Sequence, residues 1–95
     1  MTSVMEIIFY YREDCHLCEK MQGDLDAFRR QNQARYPTMV TMRDIEDDER
    51  WFQWYHEYVP VLVVNDEEIC HYFFDSREMT NALNEHGGNH AKTPG

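Results

Sequence analysis

The chain has 95 residues, with 18 Asp+Glu against 9 Lys+Arg and a formal net charge of −9. That length suits one small domain, and a composition 42% hydrophobic and 14% aromatic supplies a single core. The acidic balance, with basic residues scattered from Arg12 to Lys92, argues against nucleic acid and anionic membrane surfaces, which both require clustered Lys and Arg.

From the N-terminus, Met5 to Tyr11 (MEIIFYY) is β-branched and aromatic, as in a strand covered on both faces. The start of the chain lacks the basic flank and long apolar stretch of a secretory signal, and no run reaches the ~18 apolar residues of a membrane helix. The expected address is cytoplasmic. From Leu17 the period becomes helical, with Leu17, Met21, Leu25 and Phe28 forming one stripe that outweighs the cost of Gly23. Pro37 ends any continuation, and Thr38 to Asp44 (TMVTMRD) reads as a second strand. The acidic run from Asp44 to Glu49 precedes an aromatic segment, Trp51 to Tyr58. Asp47 or Asp48 is placed to cap a short helix there, with the aromatics expected to serve as helix core. Val61 to Val64 is a buried strand, and Asn65-Asp66-Glu67-Glu68 is the expected turn into a hairpin partner, Ile69 to Phe74. Asp75 reads as an N-cap with Glu78 at the third helical position, Met79, Ala82 and Leu83 face inward, and Gly87 supplies the stop. The result is one α/β domain over residues 1–87, in the order β-α-β-α-β-β-α with a four-stranded mixed sheet flanked by helices. Residues 88–95 form a polar tail expected to be disordered.

Three cysteines are too few for a disulfide framework, and Cys15 and Cys18 have the C-x-x-C spacing of redox or metal chemistry. Three residues is about one helical turn, so both sulfurs reach bonding distance if a helix starts near Cys15. Cys15 would then sit where unpaired N–H groups and the helix dipole favour a thiolate, and Cys18 one turn inside, more shielded. An exposed nucleophile followed by a shielded resolving thiol is the layout for dithiol–disulfide exchange. Arg12 and a protonated His16 favour the Cys15 thiolate, whereas Glu13, Asp14 and Glu19 oppose it. His16 and Asp14 are therefore the tuning residues to watch. The balance suggests a couple between about −180 and −270 mV, the range from disulfide isomerase to thioredoxin.

Strand, C-x-x-C, helix and a later Val59-Pro60 opening a strand resemble the thioredoxin superfamily. Within it, YREDCHLCEKM together with YVPVLVVNDEEI is similar to a short glutaredoxin-like family of bacterial proteins, over Met5 to Leu83. The resemblance implies a thioredoxin-like, glutaredoxin-type fold and thiol–disulfide exchange, with Cys15 attacking and Cys18 resolving. It also implies a cis Val59-Pro60 peptide beside the pair, with the Val59 backbone unpaired and open to an extended substrate. Tyr58 would border that site, and Arg12 occupies the basic position ahead of the first cysteine. The chain departs from glutathione-binding relatives in having His16-Leu17 between the cysteines and Tyr58 before Val59. Where those relatives place two glycines and an aspartate it has Tyr72-Phe73-Phe74-Asp75-Ser76. No cofactor is expected, and glutathione enters only as one possible reductant whose usual carboxylate site has been replaced.

Two other functions compete. Cys15, Cys18, Cys70, His71 and His16 are the potential ligands of a zinc or iron–sulfur site. Alternation along the strand separates Cys70 from His71, however, and His86 and His90 straddle a glycine pair. Cys70 is better read as a small buried apolar residue, and no metal is expected. The second alternative is a thioredoxin-like binding module that does not use its thiols. The partners expected are a disulfide-bearing protein or small thiol, with the electron donor, reductase or glutathione, left open. The acidic surroundings of the pair disfavour anionic glutathione, and the chain is expected to be a monomer.

Overall fold

The computed structural model describes residues 4–86. The expected helix stop at Gly87 and the expected tail over 88–95 lie outside the described residues. The elements are β1 (Met5–Tyr11), α1 (His16–Asn32), β2 (Thr38–Asp44), a 3-10 turn (Ile45–Asp47), α2 (Glu49–Tyr55), β3 (Val61–Val64), β4 (Glu67–His71) and α3 (Ser76–His86). Strand order is β2-β1-β3-β4, with β1 parallel to β2 and both other pairings antiparallel. Among the described residues no helix is long and apolar enough to cross a membrane.

Alternation along β1 sends its side chains to two apolar clusters, one on each face of the sheet. Ile7 and Phe9 pack with Met21, Leu25 and Phe28 of α1 and with Met79, Ala82 and Leu83 of α3. On the other face Tyr10 packs with Ile45, Val59, Val61 and Val63, and Trp51, Phe52 and Tyr55 of α2 lie against them. β3, buried at every position, contributes to both clusters, as its unbroken Val-Leu-Val-Val run requires. Two polar ties fix the first layer. Arg29 donates from Nε to Thr38 Oγ1 (2.9 Å) and from an Nη to the Thr38 carbonyl (2.8 Å), while Tyr36 donates its hydroxyl to Asn84 Oδ1 (2.6 Å).

Three expectations need correction. The buried stripe of α1 begins at Cys18 and not at Leu17, which is half-buried, because Cys18, three residues before Met21, is the residue of the first turn that lies on the buried face. The aromatics of α2 are core only in part: Trp51, Phe52 and Tyr55 pack half-buried against the second cluster. The helix has no fully buried residue, and Trp54 remains 52% exposed, since a helix of two turns covers the sheet with one edge only. The hairpin turn is Asn65-Asp66 alone, both in the left-handed region (φ 54° and 67°), the geometry a two-residue turn demands. Glu67 and Glu68 therefore belong to β4, where an edge strand leaves them in water, and the strand ends at His71 because Tyr72 turns to φ 65°.

Helix entrances are capped as their sequences suggest. Asp75 Oδ1 accepts from the Glu78 N–H (3.0 Å) at α3, and Asp48 Oδ1 accepts from the Arg50 N–H (2.8 Å) at α2. Asp48 also pairs with the Arg50 side chain at 2.9 Å, which holds its carboxyl at about 2, below the ordinary 3.8. A carboxyl depressed on folding contributes stability that is present above its unfolded pKa and lost as the pH falls through its folded one. Asp48→Asn keeps a competent cap and removes only the charge. The variant should melt below the parent above about pH 4 and converge with it near pH 2, as followed by thermal unfolding across that range. A gap that stays constant with pH would show that the ion pair plays no part.

Candidate active site

β1 ends at Tyr11, and the chain reaches α1 through Arg12-Glu13-Asp14-Cys15. Asp14 adopts φ 56°, a left-handed conformation that aspartate tolerates better than most residues, and this turns the strand into the helix. Cys15 follows as the N-cap of α1 (φ −123°, ψ 107°), its Sγ accepting the Cys18 N–H at 3.1 Å. One turn on, Cys18 lies on the buried side, 5% exposed, in the cluster that contains Val59 and Tyr10. The two cysteines are joined as a disulfide, with Cα atoms 5.2 Å apart. Cys15 stays half-buried, so the pair presents one sulfur outward and keeps the other in the core.

A groove of about 380 Å³ opens onto this disulfide. It is lined by Cys15, Cys18, Arg12, Glu13, Asp14 and Glu19, and by Phe9, Tyr11, Gln22 and Met42. Arg12 does not point free into it. Its guanidinium pairs with Glu46 at 2.7 Å and lies 5.8 Å from the centre of the Phe52 ring. The Tyr11 hydroxyl is held above its ordinary range, first by burial and then by the carboxylates of Asp44, Glu13 and Asp47.

Of the other residues singled out from sequence, His16, Tyr58, Val59 and Pro60 are not among those that line this groove. His16 is the first, exposed residue of α1. The Val59-Pro60 peptide is cis; Pro60 is fully buried and Val59 shares the apolar cluster of Cys18. The resemblance implied an unpaired Val59 backbone, but its N–H is taken: it donates to the Tyr55 carbonyl at 3.0 Å, in the turn that follows α2. Tyr58 is exposed and packs with His71 and Tyr72 at centroid distances of 5.5 and 6.5 Å. The Tyr72 N–H in turn bonds the Pro60 carbonyl at 2.9 Å.

Sequence reasoning missed Gln22, Met42 and Glu46. Gln22 was legible, since four residues beyond Cys18 is the same helix face. Met42 and Glu46 were not, because they reach the site only through the β1/β2 register, which sets Phe9 opposite Met42 and Tyr11 opposite Asp44.

Cys70, on β4, is half-buried against the first cluster, and burial pushes its thiol up. Among the described residues, the potential metal ligands with donor atoms within 4.8 Å of one another are Glu67, Glu85 and His86, a group without a cysteine. His90, the other half of the histidine spacing, lies outside the described residues.

Residues 6–84 match the family described as Glutaredoxin-like domain (DUF836). A comparison with curated proteins finds no match. Among solved structures, the chain is similar to protein Ne2328 from Nitrosomonas europaea, with 31% identity and a TM-score of 0.69 over 85% of this chain and 93% of that one. Protein SA0789 from Staphylococcus aureus, at 11% identity, has a TM-score of 0.67 over 87% of this chain and 91% of that one. Thioredoxin 1 from Thermosipho africanus, at 15% identity, has a TM-score of 0.55 over 85% of this chain and 92% of that one. The fold is thioredoxin-like.

Proposed function

Since this chain belongs to the glutaredoxin-like domain family, we propose that it is a thiol–disulfide oxidoreductase, passing two electrons between its cysteine pair and the disulfide or dithiol of a protein or small thiol. The observation that carries this reading is the asymmetry of the pair. Both line the open groove, but Cys15, the cap of α1, is half-buried while Cys18 is buried one turn inside the helix. Cys15 is the attacking thiol, favoured as a thiolate by the N-terminus of α1, and Cys18 resolves the mixed disulfide. No cofactor takes part. Val59 shares the apolar cluster of Cys18, with the cis Pro60 next to it in the chain, and with the Val59 N–H already bonded, its carbonyl is the backbone group left for a substrate chain. Tyr58 flanks them from the surface. Arg12, His16 and Asp14 adjust the charge around Cys15. A reducing compartment such as the cytoplasm is the setting in which such a pair cycles, with the chain acting as a monomer.

Helix dipole and lining carboxylates act in opposite directions on the thiolate, which argues for a reducing or intermediate couple and against a strong oxidant. Equilibration with glutathione redox buffers, followed by alkylation and mass measurement, should give a midpoint between about −180 and −270 mV. A midpoint near −120 mV, that of a strong oxidant, would overturn the charge argument. A pair that does not equilibrate with any thiol would overturn the oxidoreductase reading itself. The same assay with a thioredoxin reductase system identifies the electron donor.

A further inference from the structure

The groove beside the disulfide carries an uneven charge. Glu13, Asp14 and Glu19 line it against a single lining cation, Arg12. Among the described residues none of the three carboxylates has an ion-pair partner, whereas Arg12 is held by Glu46 at 2.7 Å. Glu46 lies just past the end of β2, and the parallel register that aligns Tyr11 with Asp44 brings it beside Arg12. The one positive group at the groove is thus offset, and the remaining field is negative. The Tyr11 hydroxyl, a lining group, keeps its proton more firmly first through burial and then through the carboxylates of Asp44, Glu13 and Asp47, of which Glu13 lines the groove.

We propose that this groove accepts cationic disulfides, polypeptide segments with Lys or Arg beside the cysteine, and discriminates against anionic ones such as glutathione disulfide, with Glu46 enforcing the choice by holding Arg12. The proposal rests on the disulfide-exchange reading above and names its substrate class. Clefts lined by one sign of charge concentrate ligands of the other sign and raise their association rates, roughly 10- to 10³-fold at low ionic strength. In the reductive direction the Cys15 thiolate attacks one sulfur of the substrate disulfide. This forms the Cys15–substrate bond and releases the other substrate sulfur as a thiolate, which takes a proton from solvent. Cys18, having lost its proton to solvent, then attacks Cys15 Sγ, closing the intramolecular disulfide and freeing the second substrate thiol. The protein dithiol has lost two electrons and the substrate disulfide has gained them, with no further reductant required.

The test mixes pre-reduced full-length protein with two symmetric peptide disulfides of equal length, one with lysines and one with glutamates flanking the cysteine, and measures second-order rates. At low ionic strength the lysine peptide should react at least about tenfold faster, the lower end of such steering. The ratio should shrink towards one in 1 M salt, where the screening length is about 3 Å. Glu13→Gln/Glu19→Gln should lower the ratio. Glu46→Gln, which releases Arg12, should lower it by roughly two- to fivefold, as the loss of an exposed ion pair allows. Because a change in thiolate reactivity alters both rates alike, the ratio isolates the charge effect. Equal rates, a preference for the glutamate peptide, or ratios untouched by these substitutions would overturn the proposal while leaving disulfide exchange standing. Absence of Cys15-dependent exchange with either peptide would overturn both.

Discussion

Cys15→Ser should lower disulfide exchange by at least about 10²-fold, because it removes the nucleophile and with it the covalent route. The substitution separates chemistry from folding unusually well. Cys15 is the N-cap of α1, and serine is among the best N-cap residues, so its hydroxyl can accept the Cys18 N–H that the sulfur accepts now. Compared with the reduced parent, the variant should therefore keep its melting temperature while losing activity on insulin or a small mixed disulfide. Cys18→Ser should behave differently. The attack by Cys15 survives but the buried resolving thiol is gone, so the protein should accumulate as a mixed disulfide, detectable as a mass increase of one substrate thiol on Cys15. Unchanged turnover in Cys15→Ser would favour the non-catalytic binding module. A mixed disulfide found on Cys18 would reverse the assignment of roles.

The largest stability effect is expected in the first cluster, away from the cysteines. Leu83 of α3 is 0% exposed and packs in the cluster of Ile7, Leu25 and Met79, where α1 and α3 meet the sheet. Leu83→Ala removes buried methyl groups and leaves a cavity, at a cost of about 3–5 kcal/mol. In a domain of this size, each kcal/mol lowers the melting temperature by roughly 4–8 °C, so a fall of at least about 12 °C is expected by calorimetry or circular dichroism. Total stabilities of about 5–15 kcal/mol make such a loss a large fraction of the whole. Cys18 belongs to the opposite cluster, so exchange by the folded variant well below its melting point should be retained. A fall of only a few degrees would mean that α3 repacks onto the sheet.

Much of this fold was legible because its signals are local. Strands β1, β2 and β3 follow β-branched or aromatic runs, and α1 follows a stripe repeating every three or four residues. The caps at Asp48 and Asp75 are set by the residues directly after them. Errors arose where solvent, not local pattern, decides. The acids at Glu67 and Glu68 look like a turn, yet they pair as the first two residues of an edge strand, where both stay exposed beside the hairpin turn. The aromatics of α2 look like core, but a helix this short can bury only one side.

At the candidate site the division is similar. The cysteine spacing by itself determined that both sulfurs fall within one helical turn at the entrance to α1, and the apolar stripe that follows marked the second, on its side of the helix, as the shielded one. Only the tertiary structure decided what surrounds them. The pairing of Arg12 with Glu46, across 34 positions of sequence, and the entry of Met42 into the groove both depend on the parallel alignment of β1 with β2. The bond from Val59 to Tyr55 depends on where α2 ends. A register shift of one residue would redirect every side chain along β2, so contacts of this kind are set by packing between elements and not by any short stretch of chain.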